Sequence, residues 1–153
     1  MGERHVSNSE ELLGLATEFV AHLTSARDRA IVIALSGELG AGKTTFVQGV
    51  AERLGVEGIV SSPTFLIEKV YQLQDQKFAR LVHIDAYRLK APQELRQLGW
   101  DELVRDPGNL ICVEWPEHVR ALMPTDAIRI RFDIEGEGRI ITIDGKESGQ
   151  EKS

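Results

Sequence analysis

One cysteine, Cys112, occurs in 153 residues, so no disulfide closes within the chain. No apolar run approaches the roughly 20 residues that a membrane-spanning helix needs, and the opening "MGERHVSNSE" lacks the apolar core of a signal peptide. An excess of positive charge is missing as well. Acidic side chains outnumber basic ones 24 to 18, for a net charge of −6, which excludes a long-range field that gathers polyanions. Any nucleic acid contact then needs a local patch or a partner. These absences predict a protein of a reducing cytoplasm with no membrane attachment.

What is present is a hydrophobic share of 42%, enough for a real core at this length. There is no internal repeat and no linker, so a single domain is expected over residues 1–145. The polar tail 146–153, "KESGQEKS", has no apolar anchor and is expected to be disordered.

"SNSEELLGLATEFVAHL" opens with a capping-box pattern, Ser7 to Glu10, and puts Leu12, Ala16, Phe19, Val20 and Leu23 on one helical face. "AIVIAL", Ala30 to Leu35, is short and continuously apolar, as a strand buried on both faces would be. "KTTFVQGVAERLG" carries Phe46, Val47, Val50 and Leu54 at helical spacing and stops at Gly55. Farther on, "FLIEKVY", "ARLVHID" and "NLICVE" read as strands, the last cut off by Pro116. "APQELRQLGWDELV" reads as a helix starting near Pro92, with Leu95, Leu98 and Leu103 as a buried stripe. "AIRIRFDIEGEGRIITID" alternates on both sides of "EGEG" and predicts an antiparallel hairpin. The whole predicts an α/β chain of the P-loop NTPase-like, three-layer kind, with a mixed, mostly parallel central sheet and a C-terminal antiparallel hairpin.

Between the apolar strand and the helix that follows it, Gly37, Glu38, Leu39, Gly40, Ala41, Gly42, Lys43 and Thr44 match G-x-x-x-x-G-K-[ST] in full, with Thr45 next in line. Small residues let backbone N–H groups close around phosphate oxygens, Lys43 reaches the β and γ groups, and the Thr44 hydroxyl suits Mg²⁺. A chance match arises in about one chain in 200 of this length, and the strand-to-helix context lowers that further. A nucleoside triphosphate is the expected ligand. ATP is favoured over GTP, because no N-K-x-D occurs and the one D-x-x-G, Asp133 to Gly136, falls in the expected hairpin.

A phosphate loop needs a carboxylate at a neighbouring strand end to order the metal and orient water. Asp85 closes "LVHID" and Glu114 closes "LICVE"; parallel strands would open both acids on the edge of the glycine loop. The alternative for each is a plain turn or helix cap. Between the two, Glu114 is expected nearer the metal, since its strand ends at the abrupt "EWP" turn. Thr64 in "SSPTF" is either a γ-phosphate contact or an ordinary turn former. His83 and His118 are too scattered for a metal cluster and read as structural or surface side chains, and Cys112 reads as a small buried residue.

Taken together and in order, "GELGAGKTTF", "SSPTF", "HIDAYRL" and "VEWPEH" resemble the bacterial TsaE family, from Glu10 to Asp144. That family comprises small P-loop ATPases required for making N6-threonylcarbamoyladenosine on tRNAs that read codons starting with A. The resemblance implies one α/β domain and two partners, TsaD and TsaB, the pair that carries out threonylcarbamoyl transfer; tRNA would be met only through that complex. It further implies that Lys43 is the phosphate lysine and Thr44 the Mg²⁺ ligand. Asp85 and Glu114 would be the acids needed for ATP hydrolysis. The loop around Thr64 would be switch-like, and Trp115 is the tryptophan beside the second acid.

Two other functions share the glycine loop. A small-molecule kinase would use the stretch from Leu89 to Val104 as a lid, with Arg96 and Arg105 nearby. A nucleotide-sensing module would bind without hydrolysis.

Overall fold

The computed structural model describes residues 2–24, 28–58 and 67–145. Their elements run β1 (Gly2–Val6), α1 (Ser9–Ala21), β2 (Ile31–Gly37), α2 (Lys43–Arg53), β3 (Glu68–Gln72), β4 (Arg80–Asp85), α3 (Pro92–Gln97), α4 (Trp100–Arg105), β5 (Asn109–Glu114), a 3-10 helix (Pro116–Leu122), β6 (Ile128–Glu135) and β7 (Gly138–Asp144). The "SSPTF" loop with Thr64 and the tail 146–153 lie outside the described residues.

All seven strands join one sheet in the order β1-β7-β6-β2-β5-β4-β3. The centre, β6-β2-β5-β4, is parallel, while β3, β7 and β1 pair antiparallel with their neighbours. The expected mixed sheet and C-terminal hairpin are therefore present. β2 is apolar on both faces because both are covered. Ile31, Ile33 and Leu35 join Leu81, Leu110 and Cys112 under α1 and α2. On the opposite face Val32, Val82, Ile84, Ile111 and Val113 pack with Leu95, Trp100 and Val119 from the second helical layer.

Helices α1 and α2 touch closely at Gly49. A Cβ there would stand 2.6 Å from the Ala16 Cβ and 2.9 Å from the Leu13 carbonyl oxygen, so only glycine permits this approach. The expected stripe on α1 is buried, with Leu23 just past the helix end. Its cap is shifted by one residue from the expected position. Asn8 accepts from the Glu11 N–H at 2.9 Å, and the Glu11 carboxylate accepts from the Ser7 N–H at 2.7 Å.

Two further corrections concern elements. The single helix expected from Pro92 is two short ones, broken where Gly99 takes φ 93°. That break turns Leu98 outward at 44% exposure, whereas Leu95 is buried. Strand β1 was not expected, since "GERHV" holds one apolar residue; as an edge strand it pairs only with β7.

Candidate functional site

Strand parity decides which side chains meet. In β4, residues 81, 83 and 85 face α2, and in β5 so do 110, 112 and 114. The parallel register sets His83 opposite Cys112, Asp85 opposite Glu114, and Leu35 opposite Glu114. The polar ends of β4 and β5 thus stand level with the end of β2, where the glycine loop begins.

That loop is seated by its neighbours. Gly37 has φ 148°, and a Cβ there would lie 2.6 Å from the Phe132 carbonyl oxygen on β6. The Ala41 N–H donates to the Glu38 carbonyl at 3.1 Å, and Ala41 is fully buried. From the hairpin, Arg139 Nη2 donates to the Gly40 carbonyl at 3.1 Å. The loop delivers the chain to the N-terminus of α2, whose unpaired N–H groups and dipole favour an anion.

A cavity of about 400 Å³ opens there, lined by Leu39, Gly40, Gly42, Lys43, Thr44, Thr45, Asp85, Tyr87, Arg88, Glu114 and Trp115. Lys43 is buried at 4% exposure. Its ammonium donates to the Gly37 carbonyl and lies 3.6 Å from the centroid of the Trp115 ring. Burial pulls the Lys43 pKa below the usual lysine value, and the negative charges of Glu114, Glu117 and Asp85 oppose that only in part. Trp115 sits at φ 61°, ψ 51°, in the left-handed region, a conformation a bulky residue holds only when its surroundings fix it. Tyr87 and His118 supply those surroundings, with ring centroids 5.0 and 5.9 Å from the Trp115 ring.

Glu114 is nearly fully buried. The Thr44 hydroxyl donates to its Oε2 at 3.1 Å, and His83 Nε2 meets the same oxygen at 2.6 Å. Asp85 is half-buried on the cavity wall; its Oδ1 also accepts from the Tyr87 N–H at 3.0 Å, closing a turn. Asp85 therefore closes a turn and also lines the cavity. A hydroxyl and two carboxylates around one cavity are hard oxygen donors, the set that suits Mg²⁺. Cys112 is fully buried, and burial together with Glu114 pushes its thiol up to about 12, so it is inert at neutral pH.

The structure thus brings together Lys43, Thr44, Thr45, Asp85, Glu114 and Trp115, while Gly37, Glu38 and Ala41 shape the loop from behind. It does not bring in Arg96 or Arg105. Helices α3 and α4 pack against the far face of the sheet through Leu95 and Trp100, and Arg96 pairs with Asp101 at 3.4 Å. Of the two readings of His83, structural or surface, burial rules out the surface one; its bond to Glu114 was not anticipated from sequence. Its position two residues before Asp85 was the available signal, because period-two alternation puts both on one face.

The family model for threonylcarbamoyl adenosine biosynthesis protein TsaE matches residues 6–141. The chain belongs to the TsaE family. Among curated TsaE proteins, that of Streptomyces coelicolor is 45% identical over 104 residues, covering 67% of this chain and 68% of the relative. The TsaE of Bacillus subtilis is 40% identical over 116 residues, covering 74% and 69%; that of Borreliella burgdorferi is 36% identical over 115 residues, covering 74% and 81%. The crystal structure of Bacillus subtilis YdiB superposes with a TM-score of 0.73 at 31% identity, covering 94% of this chain and 84% of YdiB. As a TsaE protein, the chain has a family assignment independent of the cavity just described. Among its described residues, no helix is long and apolar enough to cross a membrane.

Proposed function

We propose that this TsaE protein is a Mg²⁺-dependent ATPase of tRNA threonylcarbamoyladenosine biosynthesis that resets a TsaD–TsaB transferase pair by binding and hydrolysing ATP. The observation that carries the reading is the hydrogen bond from Thr44, at the start of α2, to Glu114, at the end of β5. It joins the loop that suits phosphate to the carboxylate that suits a metal. Triphosphate binding draws the Lys43 ammonium from the Gly37 carbonyl and the Trp115 ring to the β and γ phosphates, while the N-terminal N–H groups of α2 take phosphate oxygens. Mg²⁺, when bound, neutralises charge on the transferring group. Thr44 and Glu114 would hold it, and Asp85, at the neighbouring strand end, would orient the attacking water.

The net charge of −6 opposes an independent grip on tRNA, so the energy of hydrolysis acts on protein partners and tRNA is met through them. ATP hydrolysis by the purified chain, alone and with a TsaD–TsaB pair across salt concentrations, tests this. Slow turnover alone and faster turnover with the pair is the expected result. Equal rates in both samples, or rapid phosphorylation of a small acceptor by the chain alone, overturns it.

A further inference from the structure

Inside the layer between the sheet and α2, where nearly every neighbour is apolar, one imidazole is fully enclosed. His83 lies in the middle of β4, paired in register with Lys69 on one side and Cys112 on the other, and it has no exposed surface. Burying a polar ring in such a place is costly unless it is bonded. Its one hydrogen bond among the described residues runs from Nε2 to Glu114 Oε2 at 2.6 Å, and Nδ1 has no partner there. A carboxylate only accepts, so Nε2 carries the hydrogen that is shared.

We propose that His83 is the positioning residue for Glu114: it fixes the carboxylate's rotamer before any metal arrives and so sets the affinity of the site for Mg²⁺. This rests on reading Glu114 as a metal-side carboxylate. Two donors converge on Oε2, Thr44 and His83, and they are not equivalent. Thr44 belongs to the mouth of the loop and is itself offered to the metal through its hydroxyl oxygen. His83 is anchored on a strand hydrogen-bonded along both edges and is not among the residues that line the cavity. A donor behind a metal-binding carboxylate orients it and raises its hold on the metal. His83 therefore acts through Glu114 and is not a catalytic residue.

The test uses the full chain and ATP as the probe, with nucleotide affinity measured by calorimetry across a Mg²⁺ titration. His83→Leu keeps the volume and removes the donor; His83→Gln keeps an N–H near the place of Nε2. Loss of such a supporting bond costs about tenfold or more in metal affinity, so His83→Leu raises the Mg²⁺ concentration for half-effect by at least that much. Affinity for ATP without Mg²⁺ is unchanged, and His83→Gln recovers most of the loss. In the metal-free wild type, ¹⁵N NMR of the histidines shows the His83 proton on Nε2, with a resonance that moves in Glu114→Gln.

An unaltered Mg²⁺ requirement in His83→Leu overturns the proposal, as does a His83→Gln protein as impaired as His83→Leu. Should His83→Leu not fold, a proton found on Nδ1 alone, or a resonance indifferent to Glu114→Gln, overturns it equally. Absence of any Mg²⁺ effect on wild-type ATP affinity removes the nucleotide–metal reading itself, and the NMR result then stands apart from that failure.

Discussion

Replacing Lys43 by methionine separates binding chemistry from folding, because the stem stays and only the ammonium goes. On the proposed reading, the lost cation removes about 3 kcal/mol of stabilisation from developing phosphate charge, which at about 1.4 kcal/mol per decade is roughly a hundredfold in turnover. Stability should respond in the opposite sense or not at all. The ammonium contributes a ring contact of about 1–2 kcal/mol with Trp115 and a charge-assisted bond of about 1.5–3 kcal/mol to the Gly37 carbonyl. Yet burial still leaves its pKa below the usual lysine value, so the folded site disfavours the cation relative to water. Lys43→Met should therefore be as stable as wild type, or more so, at pH 7. With a lowered folded-state pKa, the unfolded chain binds more protons between that pKa and 10.5, so wild-type stability gains on the variant as pH rises through that window. Chemical denaturation at several pH values and single-turnover ATP hydrolysis measure the two halves. Unchanged turnover in a folded Lys43→Met protein refutes the assignment of the loop, and a marked loss of stability at pH 7 refutes the electrostatic argument.

Glu114→Gln and Asp85→Asn should both slow hydrolysis, but the Mg²⁺-dependent part of nucleotide affinity should fall more in Glu114→Gln, since Glu114 shares Thr44. Affinity measured with and without Mg²⁺ decides, and a metal effect confined to Asp85→Asn reverses the assignment. Away from the site, Glu68 has an oxygen without a hydrogen-bond partner among the described residues, and burial raises its pKa above the ordinary 4.5. A raised carboxyl pKa means that the folded state binds more protons, so Glu68 weakens the fold above that pKa and not below 4.5. Glu68→Gln should accordingly raise the thermal midpoint at pH 7, with the advantage vanishing as pH falls toward 4.5; an advantage independent of pH removes the explanation.

Much of the site was legible in the sequence because its parts lie at ends of strongly patterned elements. The apolar run before Gly37 and the helical spacing after Lys43 place the loop, and two apolar runs ending in acids place Asp85 and Glu114 on one edge. What was not legible depends on distant partners. Strand β1 has almost no pattern of its own, and its pairing is written in β7. Arg139 reaches Gly40 across 99 positions, and the Lys43–Trp115 contact requires the left-handed turn after β5. The cap of α1 was a contest between two good cap residues, Ser7 and Asn8, resolved by which carboxylate reaches back: Glu11, to the Ser7 N–H. His83 was legible by parity but looked ordinary until Glu114 was seen beside it.

The core alone does not explain why β5 holds its register. Leu110, Ile111, Cys112 and Val113 are all buried, so a slip of one residue exchanges apolar side chains between two apolar layers at little hydrophobic cost. The polar ends discriminate. At one end the buried Asn109 accepts from Arg80 Nε at 2.7 Å and donates to the Leu103 carbonyl at 3.0 Å; at the other, Glu114 accepts from His83 and Thr44. A slip would carry both to the wrong face, and the fully buried His83 would lose its hydrogen bond to Glu114, at about 1–3 kcal/mol for a buried group left unpaired. Glu114 thus belongs both to the candidate site and to the polar ends that specify the strand. Asn109→Leu should lower stability by about 1–3 kcal/mol but keep one set of amide resonances, because Glu114 still fixes the register. Asn109→Leu combined with Glu114→Leu should give doubled or broadened resonances along β5 and its neighbours, with the far-UV signal retained. A single sharp set of resonances from the double variant would show that packing alone selects the register.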